Sequence, residues 1–157
     1  MNVLGEENKA FNVEVKAGKE EIRKIYEELV QTPWYYSLYS SDAVVGEWGA
    51  YSTDLGRRIA ENGVLAKELL AGSVRPVSYS QYYKQPQQEI RYLAHTIKIS
   101  TDLILYEDKL VLMSYDGGLN TVVIKDKAIF NTAKMMFELL WESTPEFIDI
   151  QSALNKD

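Results

Sequence analysis

Apolar and polar residues alternate through Phe11-Asn12-Val13-Glu14-Val15-Lys16, a period of two that predicts a half-buried strand. After Gly18 the period changes. Ile22, Ile25, Tyr26, Leu29 and Val30 recur at helical spacing, giving one apolar helix face that ends before Pro33. Glu20 and Glu21 fall in its first turn, where the helix dipole favours negative charge. Trp34 to Ser40 is short and rich in aromatic residues, and reads as a second strand. Ser41-Asp42 then offers two N-cap residues to a helix carrying Val44, Trp48, Tyr51, Leu55 and Ile59. Gly46, Gly49 and Gly56 lie inside that helix and weaken it by roughly 1 kcal/mol each relative to alanine. Asn62-Gly63 is a stop signal.

Val64 to Leu70 reads as a third strand, although Ala66-Lys67-Glu68-Leu69-Leu70 fits a helix equally well. Residues 71–88, with Gly72, Pro76, Pro86 and several Ser, Gln and Tyr, form a loop longer than a simple connection. Strand alternation returns at Glu89–Leu93. Leu103–Tyr106, Leu110–Met113 and Val122–Ile124 are apolar runs separated by Glu107-Asp108 and by Asp116-Gly117-Gly118. They predict an antiparallel meander covered on both faces. Ile129, Phe130, Ala133, Met136, Phe137, Leu140 and Trp141 then make a broad helical stripe before Pro145. The order is that of an α/β fold: a mixed sheet with helices on both faces and an antiparallel portion. Residues 1–10 read as a flexible lead-in, 11–143 as one domain, and 144–157 as a tail that docks as a short helix or frays.

Composition narrows the classes. A chain of 157 residues, 46% hydrophobic and 25% charged, can bury a core without staples. A net charge of −6 argues against sequence-independent nucleic-acid binding and against a polybasic membrane surface. The absence of cysteine excludes disulfides, thiolate zinc sites and a cysteine nucleophile. No apolar run approaches the ~18 residues of a membrane span. The expectation is a cytoplasmic chain without membrane contact, metal or other cofactor.

Chemistry-bearing residues are few. There is no Gly-x-Ser-x-Gly elbow and no glycine-rich phosphate loop at a strand-to-helix turn. His95, the one histidine, stands in His95-Thr96-Ile97-Lys98 with Asp102 following. This resembles the His-x-Lys-x4-Asp motif of the phospholipase D superfamily, in which histidine attacks phosphorus and lysine neutralises the phosphoryl oxygens. The spacing is one residue too long, so along a strand His95 and Lys98 point to opposite faces. With Asp108 taken as the motif aspartate, the histidine and lysine positions hold Thr101 and Leu103. The plain alternative is a loop or edge histidine. Tyr79, Tyr82 and Tyr83 either pack their rings on the sheet or stack on a polar small molecule such as a sugar. Tyr39, Ser40 and Ser41 stand where a strand hands over to a helix, a position that serves capping or a ligand cleft.

Glu89-Ile-Arg-Tyr-Leu, then Ile-Leu-Tyr-Glu-Asp-Lys-Leu-Val-Leu-Met-Ser, Val-Val-Ile-Lys-Asp-Lys-Ala-Ile and the closing Phe137-Glu-Leu-Leu-Trp141 together resemble the C-terminal effector domain of TrmB-type transcriptional regulators. Gly18-Lys-Glu-Glu-Ile-Arg-Lys-Ile-Tyr-Glu resembles that family's first helix, and Arg57-Arg58 through Asn62-Gly63-Val64 its second helix and following strand. The resemblance implies a phospholipase D-like fold that has lost its catalytic motif and serves as a sensing and dimerising module. In the family such a domain follows a winged helix-turn-helix DNA reader, which residues 1–10 are too few to form. The chain is therefore expected to be a piece of a longer regulator or a stand-alone relative. The family's sugar-binding positions do not carry over, so Tyr39, Ser40, Ser41, Tyr79, Tyr82 and Tyr83 are ligand candidates on local chemistry alone. The expectation is a non-enzymatic, homodimeric regulatory domain. Its rivals are a phosphodiesterase or nuclease using His95 across a dimer, and a plain protein-interaction module.

Overall fold

The computed structural model describes residues 11–72, 87–94 and 96–145, with backbone alone for 43–47. Its elements run β1 (Asn12–Ala17), α1 (Lys19–Gln31), β2 (Trp34–Ser40), α2 (Ser41–Glu61), β3 (Leu65–Ala71), β4 (Gln88–Tyr92), β5 (Thr101–Tyr106), β6 (Lys109–Ser114), β7 (Asn120–Lys125) and α3 (Lys127–Ser143). The strands form one seven-stranded sheet in the order β1-β7-β6-β5-β2-β3-β4. β2, β3 and β4 run parallel to one another, and the pairings from β2 through β5, β6 and β7 to β1 are antiparallel. It is the mixed sheet, helices on both faces, that the order of elements implies.

β2, β3, β5, β6 and β7 divide their side chains between two cores by parity. Tyr35, Ala66, Ile104, Val111 and Val123 meet Ile22, Ile25, Leu29, Trp48, Leu55 and Ile59 from α1 and α2. Leu69, Leu105 and Leu110 face the other way, onto Phe130, Phe137 and Trp141 of α3. α1 has no side-chain N-cap bond, yet all five stripe residues, Ile22, Ile25, Tyr26, Leu29 and Val30, are buried. At roughly 1.5–3 kcal/mol for each large apolar side chain, that burial outweighs the ~1 kcal/mol a cap supplies. α3 has both, since the Asp126 carboxylate accepts the Ile129 N–H at 2.8 Å.

The ambiguous Ala66–Leu70 segment is strand. β3 lies between β2 and β4, with Leu69 opposite Leu38 on one side and Arg91 on the other, so ladders on both edges decide what propensity leaves open. The Glu107-Asp108 link is a two-residue hairpin turn in which both residues have positive φ, the form that matches strand twist. α2 is not one straight helix: Gly49, at φ 35° and ψ −117°, kinks it between Trp48 and Tyr51. The broad stripe of α3 also divides. Phe130, Phe137 and Trp141 are buried, whereas Ile129 and Met136 join Met135 and Leu139 among the exposed apolar residues.

Among the described residues no helix is long and apolar enough to cross a membrane. The lead-in 1–10, most of the loop 71–88 and most of the tail 144–157 lie outside the described residues.

Candidate functional site

β2 passes into α2 without a linker: Ser40 ends the strand and Ser41 opens the helix. β3 ends beside it at Ala71, opposite Ser40. At this edge β5 begins and β6 ends, with Thr101 paired to Ser114. The carboxyl ends of the parallel pair therefore open into a crevice, the place where α/β sheets carry ligands. The cleft is about 280 Å³ and is lined by Ser40, Asp42, Gly72, Lys98, Ile99, Ser100, Tyr115 and Asp116. Hydroxyls, two carboxylates and one ammonium group give it the donors and acceptors that a polar small molecule needs.

Asp102 lies behind the cleft wall: it is bonded to Ser40 and Tyr115, which line the cleft, and itself lines an inner cavity. Its carboxylate accepts the Ser40 N–H at 2.8 Å and the Tyr115 hydroxyl at 2.5 Å, joining β5 to the ends of β2 and β6. Only 1% of Asp102 is exposed. Burial pushes its carboxyl up to about 6, against the opposing pull of the Tyr115 hydroxyl and the Ser40 N–H. Desolvation and the neighbouring Asp102 charge hold the Tyr115 phenol well above its ordinary value.

Beneath Asp102, on the α1–α2 side, is a second space of about 60 Å³ whose walls include Tyr26, Ser37, Tyr39, Trp48 and Tyr51. A second buried carboxylate, Glu68, accepts the hydroxyls of both Tyr35 and Tyr39, the latter at 3.2 Å.

The strand-to-helix candidates are thus pulled apart. Tyr39 faces the inner cavity and Glu68, while Ser40 lines the cleft. Ser41 is 1% exposed, and its hydroxyl donates to the Ala71 carbonyl at 3.1 Å across the top of β3. That bond uses the hydroxyl proton to join strand to helix. Tyr79, Tyr82, Tyr83 and His95 lie outside the described residues.

Neither arrangement of the phosphoryl motif is assembled by the described residues. Thr101 is exposed at the start of β5, and Leu103 packs in the α3 core. Asp108 lies in the turn after β5, a strand length of about 17 Å away at ~3.4 Å per residue. In the other spacing Lys98 lines the cleft and Asp102 is buried below it. Among the described residues no group of three or more Asp, Glu or His could hold a metal ion.

Sequence reasoning missed Glu68 and the structural role of Asp102. The signal was parity: Glu68 alternates in step with Ala66 and Leu70, and Asp102 with Ile104 and Tyr106, all buried positions.

Gly72 sets the closeness of β3 to α2. It has φ 114°, and a Cβ there would stand 2.8 Å from Ser41 Oγ and 3.0 Å from an Asp42 carboxylate oxygen. Gly72→Ala combines left-handed strain with that clash, and thermal melts should show a loss of about 1–3 kcal/mol. A change below ~0.5 kcal/mol would mean that this corner gives way freely.

The fold, a mixed sheet with helices on its two faces, is phospholipase D-like. No protein-family model and no curated protein sequence matches the chain. Among solved structures it is similar to TrmBL2, an archaeal chromatin protein whose structure shows a novel mode of DNA binding, at 21% identity and a TM-score of 0.63. That match covers 90% of this chain and 56% of TrmBL2, so the chain spans little more than half of that protein. It is also similar to Nuc, a phospholipase D family member from Salmonella typhimurium, at 12% identity and a TM-score of 0.66, covering 87% of this chain and 98% of Nuc. NucT from Helicobacter pylori matches at 12% identity and a TM-score of 0.59, over 87% of this chain and 99% of NucT.

Proposed function

We propose that the chain is a non-catalytic regulatory domain of a transcription regulator, which senses a small polar ligand in the cleft at Ser40 and pairs with a second copy. The observation that carries this reading is the pair Thr101 and Leu103. With Asp108 taken as the motif aspartate, these residues stand where the phospholipase D motif needs an imidazole and an ammonium group, and neither can attack or neutralise a phosphoryl group. The likeness to TrmBL2, a DNA-binding protein, supports a regulatory setting. DNA contact belongs, in this reading, to a winged-helix reader, which is not among the described residues.

A ligand would act by favouring one arrangement of the paired domains over another, because only differential affinity shifts an equilibrium. The pairing surface in this proposal is the outer face of α3, where Met135, Met136 and Leu139 are 52%, 62% and 66% exposed. Apolar side chains grouped on one helix face are better covered than wet.

Three measurements on the full chain test the proposal. A cleft ligand found by thermal-shift screening of sugars and nucleotides should add about 2.7 kcal/mol at ~100 times its dissociation constant. Sedimentation should show a dimer at micromolar concentration that Leu139→Lys converts to monomer. A generic phosphodiester should survive incubation with the protein.

The second reading is a phosphodiesterase completed across a dimer. It draws on the likeness to Nuc and NucT and on Lys98 in the cleft. Diester cleavage that disappears in His95→Ala would establish it and end the regulatory reading.

A further inference from the structure

We propose that the cavity beneath α1 and α2, lined by Tyr26, Trp48, Tyr51, Ser37 and Asp102, is a binding site for a small primary ammonium ion. This site is separate from the cleft, and the proposal does not depend on the regulatory reading.

Size excludes most alternatives. The space is about 60 Å³, against the roughly 10–15 Å³ that one water requires, so it admits a ligand of a few heavy atoms and no sugar. The chemistry of the walls narrows the choice further. Tyr26 and Trp48 meet edge to face at 5.3 Å, and Tyr51 stands 5.7 Å from Trp48 and 6.3 Å from Tyr26. Aromatic faces attract cations, and this cluster already does so within the chain: Lys19 Nζ lies 5.0 Å over Trp48, and the Arg23 guanidinium lies 5.3 Å over Tyr51. Asp102 supplies the negative charge. Each of its oxygens takes one hydrogen bond, from the Ser40 N–H and the Tyr115 hydroxyl, and a carboxylate has acceptor sites beyond those two.

Ser37 provides the second polar contact. It is 5% exposed, lines the cavity, and its hydroxyl has no hydrogen-bond partner among the described residues. Buried hydroxyls are rarely left so. A ligand N–H donated to Ser37 Oγ would satisfy it, which favours a primary ammonium over a quaternary one. A neutral alcohol could meet Ser37 but would leave the Asp102 charge uncompensated, and an anion would be repelled. The kink at Gly49 lies in the chain between Trp48 and Tyr51, two of the lining residues. There the Gly49 carbonyl accepts the Ser52 hydroxyl at 2.7 Å.

The test is a titration of the full chain with propylammonium chloride, against 1-propanol and against sodium chloride at equal ionic strength. The readouts are the Trp48 indole N–H resonance, assigned through Trp48→Phe, and the melting temperature. Propylammonium should shift the resonance saturably and raise the melting temperature where the two controls do not. Asp102→Asn should weaken binding at least tenfold, and Ser37→Ala severalfold. Equal effects of propylammonium and 1-propanol, or no saturable shift, would overturn the proposal. So would unchanged affinity in Asp102→Asn. If the melt shows Asp102→Asn to be unfolded, Ser37→Ala decides alone, and wild-type affinity in that variant overturns the site. Cleft ligands found by screening would be unaffected by either result.

Discussion

Trp141→Ala is expected to remove about 3–5 kcal/mol of folding stability, the range for truncating a large buried aromatic side chain. Trp141 is 2% exposed and stacks on Phe137 at 6.0 Å, while the Arg91 guanidinium lies 4.4 Å from its ring centroid and Lys67 Nζ 5.3 Å. Arg91 also donates to the Trp141 and Thr144 carbonyls at 2.7 and 2.8 Å, so this residue ties the end of α3 to β4 and the sheet. Truncation would leave a cavity next to two cations that have lost an aromatic face. Domains of this kind have only about 5–15 kcal/mol in total, so the variant should approach unfolding. With an m-value near 2 kcal/mol/M, the urea midpoint should fall by roughly 2 M. Glu142→Ala, at an exposed position of the same helix outside the proposed pairing surface, is the control and should stay within ~0.5 kcal/mol. Similar midpoints for the two variants would contradict the burial of Trp141 against the sheet.

Asp102→Asn is expected to shift the balance of stability with pH in an unusual direction. The folded carboxyl sits at about 6 against an ordinary 3.8, so the folded chain holds this proton more tightly than the unfolded chain does. Where both states are protonated, below pH ~4, the group exacts no penalty. As pH rises from ~4 to ~6 the unfolded chain ionises first, and folding loses stability. The total approaches roughly 3 kcal/mol, at 1.36 kcal/mol for each tenfold change. Glu14, Glu21, Glu27, Glu28 and Asp54 act the other way, since their cationic partners hold them below the ordinary carboxylate range and their stabilisation is lost on acidification. The difference between wild type and Asp102→Asn cancels those groups.

Asparagine keeps the shape and can still accept the Ser40 N–H, without a charge to desolvate. Relative to wild type it should therefore gain about 2 kcal/mol between pH 4.5 and pH 8, measured by denaturant titration at both pH values. A difference that does not change with pH would show that Asp102 titrates as an ordinary surface carboxylate. A buried carboxylate with a raised pKa lining a cavity is the pattern that marks candidate functional sites.

Much of the framework was legible because strong periodicity and burial agree. The stripe Ile22, Ile25, Tyr26, Leu29 and Val30 is the buried face of α1, and the aromatic run Trp34–Ser40 is β2. The three apolar runs from Leu103 to Ile124 are the meander β5, β6 and β7. Residues 66–70 were not legible, since Ala, Lys, Glu and Leu suit a helix and only ladders on both sides make them a strand. The kink at Gly49 was foreshadowed by the glycines of α2, but three of them offered themselves and only the packing of Trp48 and Tyr51 against α1 selects one.

The candidate site shows the same boundary more sharply. Tyr39, Ser40 and Ser41 are neighbours in sequence, and the strand-to-helix junction was visible. Their separation into an inner cavity, an outer cleft and a strand-to-helix bond depends on side-chain direction at a bend, which no local pattern encodes.

By itself, the sequence determined the succession of most strands and helices, the buried face of α1, the apolar runs of the meander, and the lack of a correctly spaced imidazole and ammonium pair. These follow from short-range periodicity and from residue identity. The tertiary structure alone decided that β2 stands between an antiparallel β5 and a parallel β3, which brings Ser40, Tyr115 and Asp102 together. It also decided that Asp102 and Glu68 are buried beside aromatic rings. Those outcomes depend on contacts between residues 13 to 62 positions apart, and their energy comes from desolvation, which exists only once the layers have closed.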